Sequence, residues 1–303
     1  MENTCPPLAI NSGIKTVPKL PPRPPNDEGN LAEHERAILP RSTRRGTYVG
    51  LSVEEFVSRH YGPIENVIEP WLPVAGLATV VGDRGVGKTS FVLSMVDAIA
   101  RGADFLGFPV PRPHTVLYVD GGMDPRKLQQ RLRAIRAAPE RGGNGEPDLG
   151  DTNLWVVTHA NQKEGISDLA DPDGPGRDRM TETLGGSEVL VLDHLKVLGP
   201  NGNGHHLGNC DVMQWLLELR RQWKTVVIVD DTGETNRPVL DTIIRLWRRK
   251  PGGLVNVEFA KARSCIEPDP FAARMQFEDG YFRLHREVVT SREGRPDRIR
   301  LLD

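Results

Sequence analysis

The clearest feature of the sequence is an alternation, between residues 77 and 230, of short apolar runs with longer segments of mixed character. The runs are rich in Val, Leu and Ile and predict buried β-strands. In three of the segments between them, apolar residues recur every three or four positions, which is typical of amphipathic helices. The predicted strands are 77–81, 115–119, 154–157, 189–192 and 226–229. Strands that alternate with helices predict a parallel, doubly wound sheet.

The carboxyl-terminal part of the chain differs from this alternating part. Four further apolar runs follow one another closely, which predicts successive strands, and we expect them to be antiparallel. These runs are 242–246, 254–259, 271–277 and 281–284. The expected fold class is therefore α/β, with a mainly parallel sheet flanked by helices and antiparallel strands towards the carboxyl terminus. The tryptophans expected to pack inside core elements are Trp155, Trp215, Trp223 and Trp247.

The predicted organisation is one main domain with flanking segments of different composition. The main domain is expected at residues 67–288. A lead-in segment, 49–66, is predicted to hold a short helix, because Ser52 opens a capping-box pattern. The proline-rich residues 1–48 predict a disordered tail, and the charged residues 289–303 predict a second tail.

Composition restricts the class of protein. Hydrophobic residues make up 38% and charged residues 26%, as in soluble globular proteins. The net charge of −2 gives no overall indication of a nucleic-acid partner. The three cysteines show neither a disulfide framework nor zinc spacing, and no apolar run reaches the roughly 18 residues of a membrane helix. The amino terminus lacks the pattern of a signal peptide. We therefore expect a cytoplasmic protein without a membrane partner.

A glycine-rich turn after the first predicted strand matches the pattern G-x-x-x-x-G-K-[ST] of phosphate-binding loops. Glycines let the backbone wrap a phosphate with its N–H groups inward, and the following helix adds its positive end. Lys88 is expected to contact the β- and γ-phosphates of ATP, and the Thr89 hydroxyl to bind Mg²⁺. A glycine-rich turn with a solvated lysine is the alternative. The residues predicted to bind nucleotide are Gly82, Asp83, Arg84, Gly85, Val86, Gly87, Lys88, Thr89 and Ser90.

The expected partner of such a loop is an apolar strand that ends in aspartate. The strand at 189–192 is followed by Asp193, whose carboxylate is predicted to hold Mg²⁺ through water. An aspartate that only caps the strand end is the alternative. The next residue, His194, either touches the site or packs nearby.

Further motifs carry a family resemblance. They are Phe105-Leu106-Gly107-Phe108, Pro111-Arg112-Pro113, Leu128-Gln129-Gln130-Arg131-Leu132, Trp215-Leu216-Leu217-Glu218-Leu219 and Leu240-Asp241-Thr242-Ile243-Ile244-Arg245-Leu246. Together with the glycine-rich loop, they resemble the RepA-like branch of the RecA-type AAA ATPases, which are related to hexameric replicative helicases. The resemblance covers about residues 65–277. It implies a RecA-like P-loop fold, ATP and Mg²⁺ as ligands, a homo-oligomer such as a ring, and single-stranded DNA as a partner.

The resemblance also implies a role for two basic residues. In the family, a Lys-x-Arg pair on a late strand points across a subunit interface at the neighbour's γ-phosphate, and Lys261 and Arg263 match this pair. Alternation along a strand would place both side chains on one face. Their positive charge would offset the charge that develops during phosphoryl transfer. A solvated basic strand face is the alternative.

Three departures from the family pattern concern hydrolysis. Where the family has a glutamate that activates water, this chain has Gly122, and the nearby carboxylates Asp120 and Asp124 do not occupy the same position. Where the family has His-His-x-Gly-Lys, the chain has Asp230 and Asp231, which repel a triphosphate unless a metal lies between them. The arginine/glycine/serine loop that the family has next is nearly absent.

The binding half of the predicted site is therefore intact and the hydrolytic half is eroded. We predict that the chain binds ATP or ADP with Mg²⁺ and turns over slowly, since an activating carboxylate contributes roughly 10²- to 10⁴-fold in rate. The candidate catalytic residues are Lys88, Asp120, Asp231, Lys261 and Arg263. A DNA-stimulated ring motor, a non-hydrolysing regulatory or structural module and a small-molecule kinase are the competing functions. The Lys-x-Arg strand argues against the kinase.

Overall fold

The computed structural model describes the main part of the chain. The described residues are 51–60, 65–138, 153–169, 171, 173–194, 210–231, 239–250, 252–265, 267–278 and 280–287. The predicted tails at 1–48 and 289–303 lie outside them, as does the shortened loop predicted within 232–238. Contacts divide the chain into a compact unit at residues 6–63 and a second unit that contains residues 64–303.

In the first unit, the described residues form helix α1, Val53–Ser58. The Ser52 hydroxyl accepts a hydrogen bond from the Glu55 N–H at 3.1 Å, and the Glu55 carboxylate accepts one from the Ser52 N–H at 2.7 Å. The predicted capping box is therefore confirmed. The apolar side chains of this helix are exposed, namely Val53, Phe56 and Val57.

The described residues of the second unit form a series of strands and helices. The strands are β1 (Asn66–Ile68), β2 (Leu72–Pro73), β3 (Leu77–Gly82), β4 (Val116–Asp120), β5 (Leu154–Thr158), β6 (Val189–Asp193), β7 (Thr225–Asp230), β8 (Thr242–Trp247), β9 (Val255–Ala262), β10 (Phe271–Glu278) and β11 (Tyr281–Arg286). The helices are α2 (Lys88–Arg101), α3 (Pro125–Arg136), α4 (Gly176–Leu184) and α5 (Cys210–Arg221). Within the part of the chain that the structure describes, no helix is long and apolar enough to cross a membrane.

Strands β3 to β11 form one nine-stranded sheet in the order β11-β10-β9-β8-β3-β7-β6-β4-β5. The strands from β8 to β5 in this order are parallel, and β9, β10 and β11 are antiparallel. Strands β1 and β2 form a separate antiparallel pair. The predicted fold class, a mainly parallel sheet with antiparallel carboxyl-terminal strands, is confirmed.

Strand β8 joins the parallel and antiparallel parts of the sheet, because it pairs antiparallel with β9, as expected, and parallel with β3. On the β3 side, Thr242 lies opposite Ala78 and Leu246 lies opposite Gly82. The chain therefore returns from the carboxyl end of β7 to the amino end of the sheet before β8 begins. The four late strands are thus antiparallel to one another, as predicted, and the additional parallel pairing of β8 with β3 was not predicted because an apolar run does not reveal which strand it pairs with.

Helices cover both faces of the sheet. One buried apolar cluster joins α2 and α3 to one face, and a second cluster joins α4 and α5 to the other. Successive residues of β6 alternate between the clusters, since Val191 belongs to the first and Leu190 and Leu192 belong to the second. Burial on both faces explains why the central parallel strands are continuous apolar runs in the sequence.

Two predictions about burial are wrong. Strand β5 lies at the edge of the sheet, and its Trp155 is 59% exposed. Trp223, which follows α5, is 75% exposed, whereas Trp215 is buried as expected. An apolar run does not show whether its strand is central or at an edge. Helix α4 was also not predicted, because a Gly-, Asp- and Pro-rich segment precedes it and resembles a loop.

The sheet positions the candidate site. Parallel strands end at the same edge, and Asp120 at the end of β4 lies opposite Asp193 at the end of β6. Asp230 at the end of β7 lies opposite Val81, the residue before Gly82, in β3. The glycine-rich loop and three of the predicted acidic positions are therefore assembled at the carboxyl edge of the sheet.

Candidate functional site

The turn between β3 and α2 depends on glycine. Gly82 and Gly87 have φ values of 155° and 108°, which residues with a side chain rarely adopt. A Cβ atom at Gly87 would lie 2.6 Å from Met275 Sδ, and one at Gly82 would overlap the Leu246 carbonyl. The loop therefore follows a compact path that larger residues would not permit.

The amino end of α2 is suited to an anion. Helix α2 begins at Lys88, directly after Gly87, which has no side chain that could cap the first turn. The first N–H groups of a helix have no partner within the helix and give its amino end a partial positive charge. A phosphate group is the anion that such a loop and helix start commonly bind.

Lys88 connects the loop to the neighbouring strand end. Its side chain is 7% exposed, and its Nζ donates to Gly82 O at 2.7 Å and to Asp83 O at 3.1 Å. A third partner is Asp231, whose Oδ1 lies 2.6 Å from Lys88 Nζ. These contacts satisfy an ammonium group that is costly to bury without partners.

Asp193 and Thr89 form the next part of the site. Asp193 is 4% exposed, and its Oδ2 accepts a hydrogen bond from the Tyr118 hydroxyl at 2.7 Å. The Thr89 hydroxyl also hydrogen-bonds to the Asp193 carboxylate. Burial raises the pKa of Asp193, although these two hydrogen bonds oppose the shift. The loop and the end of β6 are thus joined by direct contact.

The oxygen atoms of Thr89 and Asp193 fit a magnesium ion. Mg²⁺ is a hard cation that prefers oxygen ligands, and it commonly takes one or two from the protein and the remainder from phosphate and water. Across the described residues, no group of three or more His, Cys, Asp or Glu side chains could hold a metal ion by itself. A magnesium site here would therefore include oxygen atoms of the nucleotide.

Asp120 is buried at the end of β4 and accepts hydrogen bonds from the turn that follows the strand. Its Oδ2 accepts hydrogen bonds from the Met123 N–H at 2.7 Å and from the Gly122 N–H at 3.2 Å. Burial raises the pKa of Asp120, and the hydrogen bond from Met123 opposes the shift. The structure thus places Asp120 beside Asp193, with one oxygen engaged by the backbone.

Asp124 has a local role at the start of α3. Its Oδ1 accepts hydrogen bonds from the Arg126 N–H at 2.9 Å and from Arg126 Nε at 3.0 Å. The hydrogen bonds from the Arg126 side chain hold the pKa of Asp124 at about 2. This aspartate caps a helix, which is a sufficient explanation for its presence.

Asp231 follows β7 and joins three basic side chains. Besides Lys88, it contacts His194, whose Nε2 lies 2.6 Å from Asp231 Oδ2, and Arg84, whose Nε lies 3.3 Å from the same oxygen. Burial opposes ionisation, but the hydrogen bonds from Lys88 and His194 hold the pKa of Asp231 below its usual range. His194 therefore touches the site, which was one of the two alternatives for this residue.

Lys261 and Arg263 are not brought to the loop of their own chain. Lys261 lies opposite Ile243 in β8, and Ile243 lies opposite Thr79 in β3. The Arg263 N–H donates to the Asp241 carbonyl, so both basic residues lie towards the amino end of β3. Strand β9 ends at Ala262, one residue before Arg263. Burial, followed by the charge of Arg263, lowers the pKa of Lys261.

Three residues at the site were not predicted. Arg248 Nε donates to the Val86 carbonyl of the loop at 3.1 Å, and Met275 packs against Gly87. No motif marks these two, because they reach the loop from distant parts of the chain. Tyr118 could have been found, since a tyrosine in an aliphatic buried strand needs a partner for its hydroxyl.

The fold and the site together define a class of protein. A glycine-rich loop between β3 and α2, a buried lysine at the start of α2 and an aspartate at the end of β6 are the features of a RecA-like P-loop nucleotide-binding protein. A family model described as an AAA domain matches residues 45–236, which is more than half of the chain. The protein therefore belongs to the AAA domain family.

Comparison with solved structures finds similar chains. One is the flagellar accessory protein FlaH from Methanocaldococcus jannaschii, with 13% identity and a TM-score of 0.48 over 71% of this chain and 91% of that chain. Another is the KaiC-like protein PH0186 from Pyrococcus horikoshii OT3, with 12% identity and a TM-score of 0.47 over 75% of this chain and 100% of that chain. No curated protein matches the sequence.

Proposed function

We propose that this protein is an ATP-binding, Mg²⁺-dependent ATPase of the RepA-like type that hydrolyses ATP slowly. The observation that carries the proposal is the meeting of Lys88, Thr89 and Asp193 at the amino end of α2. Loop N–H groups and the Lys88 ammonium would bind the β- and γ-phosphates, since both are positive and lie at one helix start. Mg²⁺, held by Thr89 and Asp193, would supply further positive charge beside the phosphates.

Slow hydrolysis follows from the groups beside the phosphate site. Gly122 has no side chain that could activate water, and one oxygen of Asp120 is engaged by the Gly122 and Met123 N–H groups. Asp231 is engaged by Lys88 and His194. Either aspartate would have to release a partner before it could orient a water molecule. These contacts also support a second candidate function, a regulatory or structural module that binds nucleotide without hydrolysis.

The wild-type protein can distinguish these two functions. We expect ATP to bind in the presence of Mg²⁺ and phosphate release to be slow but above background. Asp193→Asn should remove most of the Mg²⁺ dependence of binding, whereas Asp178→Asn, an exposed change on α4, should not. Binding without any phosphate release would favour the non-hydrolysing module. Absence of ATP binding would contradict both functions.

A homo-oligomer is part of the proposal because of where the basic pair lies. Lys261 and Arg263 lie towards the amino end of β3, whereas Lys88 lies beyond its carboxyl end. A head-to-tail contact between copies would bring the pair of one copy to the loop of the next, and such contacts can close into rings. Single-stranded DNA is the proposed partner, because the chain resembles DNA-associated ATPases.

Mixing two inactive variants tests the shared site. Lys88→Ala removes the loop lysine, and Arg263→Ala removes the basic residue that would act on the neighbour. If the site is shared, a mixture should recover part of the phosphate release. In a mixed pair, the Arg263→Ala copy keeps Lys88 in its loop, and the neighbouring Lys88→Ala copy provides Arg263 to that loop. Mass in solution and phosphate release should both be measured with and without single-stranded DNA. A monomer under all conditions would contradict the oligomer.

A further inference from the structure

The Lys88–Asp231 contact indicates which nucleotide the site prefers. We infer that Asp231 makes the site selective for a nucleoside diphosphate over the corresponding triphosphate. The inference rests on the proposed nucleotide site, but it concerns a residue that the phosphate-loop motif does not include.

The position of the Asp231 carboxylate favours the diphosphate. In P-loop proteins the loop lysine reaches the β- and γ-phosphates. Here Lys88 Nζ is held by Asp231 Oδ1 at 2.6 Å, in addition to the carbonyls of Gly82 and Asp83. Asp231 thus supplies the negative charge that a terminal phosphate would otherwise bring to this ammonium group.

Asp231 is also held in place by further contacts. Its other oxygen, Oδ2, lies 2.6 Å from His194 Nε2 and 3.3 Å from Arg84 Nε. The Asp231 side chain is 10% exposed, so little water screens its charge in this position. A γ-phosphate would have to stand beside this carboxylate or break its contacts with Lys88.

The balance of charge in the site differs between the two ligands. The loop N–H groups can bind a diphosphate while Lys88 remains paired with Asp231. A triphosphate adds negative charge next to a fixed carboxylate, in a partly buried site where like charges repel strongly. We expect the diphosphate to bind at least about tenfold more tightly than the triphosphate.

The test compares ADP with the non-hydrolysable analogue AMP-PNP on the full chain, with and without Mg²⁺. Wild-type protein should show the preference of about tenfold or more for ADP. Asp231→Asn keeps the shape of the side chain and removes its charge, so it should strengthen AMP-PNP binding and bring the two affinities within about threefold. Asp178→Asn, on the exposed face of α4, should leave the ratio unchanged.

Two results would overturn the inference. Wild-type protein could bind AMP-PNP as tightly as ADP, and this measurement needs no variant. Asp231→Asn could weaken AMP-PNP in the presence of Mg²⁺, as expected if Asp231 and the γ-phosphate share a metal ion. Failure of the wild-type chain to bind either nucleotide is a different outcome, since it would overturn the proposed function itself.

Discussion

The ends of β3 and β6 and the ends of β4 and β7 meet at the same edge of the sheet, but their side chains make different contacts. At β3 and β6, Thr89 hydrogen-bonds to Asp193, so two oxygen ligands of a hard cation lie together beside the loop. At β4 and β7, Asp120 holds the turn that follows its strand, and Asp231 holds Lys88. Under the proposed function, the first pair of strand ends would bind the nucleotide, whereas the side chains of the second pair make contacts within the protein.

This difference in contacts means that the requirements for nucleotide binding and those for hydrolysis are met to different extents. Binding needs a loop, a helix start, an ammonium group and metal ligands, and all of these are present at β3 and β6. Turnover also needs a group that orients and activates water. The carboxylates at β4 and β7 would have to give up existing partners to do so.

The largest expected effect comes from removing the loop lysine. Lys88→Ala should weaken ADP and ATP binding by about 100-fold or more, because it removes positive charge from the loop and leaves the Asp231 carboxylate unpaired by Lys88 beside the phosphates. Fluorescence titration with a labelled nucleotide measures this effect. Lys127→Ala, an exposed change on α3, is the matched control. Unchanged affinity in Lys88→Ala would show that Lys88 does not contribute to nucleotide binding at the loop.

Restoring the missing carboxylate should have the next largest effect. Gly122 is exposed, and its φ is not among the positive values that require glycine, so a side chain can be accommodated. Gly122→Glu should raise the rate of phosphate release by about tenfold or more, because it adds a group that can activate water. Gly186→Glu, which introduces the same charge at an exposed position with open space around it, should not. Equal rates in the two variants would mean that Gly122 does not limit turnover.

A smaller effect is expected at Tyr118. Its hydroxyl donates to Asp193 at 2.7 Å and fixes the orientation of that carboxylate. Tyr118→Phe should raise the Mg²⁺ concentration needed for half-maximal ATP binding by about fivefold, the value of one hydrogen bond. Tyr281→Phe on β11 is the control, and a Mg²⁺ titration is the measurement. A response shared by both variants would count against a specific role for Tyr118.

The smallest effect is the pH dependence of stability at Asp231. Its pKa is lowered in the folded protein, so its contribution to stability is fully present above the unfolded pKa of about 4 and is lost as pH falls towards the folded pKa. The difference in unfolding free energy between wild type and Asp231→Asn should therefore be constant from about pH 8 to pH 5 and shrink below about pH 4. Denaturant unfolding at several pH values measures it. A difference that grows as pH falls would mean that the Lys88 contact does not stabilise the ionised carboxylate.

The sequence was sufficient to predict much of this fold. Strands β3, β4, β6 and β7 could be placed because both of their faces are buried, which leaves continuous apolar runs. The loop could be placed because phosphate binding requires glycines, a lysine and a hydroxyl at fixed spacing. Local patterns of this kind can be recognised in a single sequence because they involve residues close together in the chain.

The remaining features depend on contacts between distant parts of the chain. The exposure of Trp155 follows from the edge position of β5, and the parallel pairing of β8 follows from where the chain re-enters the sheet. The negative charge of Asp231 was expected to repel a triphosphate, but its pairing with Lys88 could not be predicted, because 143 positions separate the two residues. The contacts of Arg248 and Met275 with the loop could not be predicted either, because these residues are also far from the loop in the sequence.

The central claim is that the loop from Gly82 to Thr89 binds the phosphates of a nucleotide. Isothermal titration of the full chain with ADP and Mg²⁺ tests it most directly, with thermal unfolding of the same sample as the check on folding. The account predicts saturable binding with one ADP per chain and a raised unfolding temperature. A folded sample that shows neither heat of binding nor a shifted unfolding temperature at millimolar ADP would contradict it.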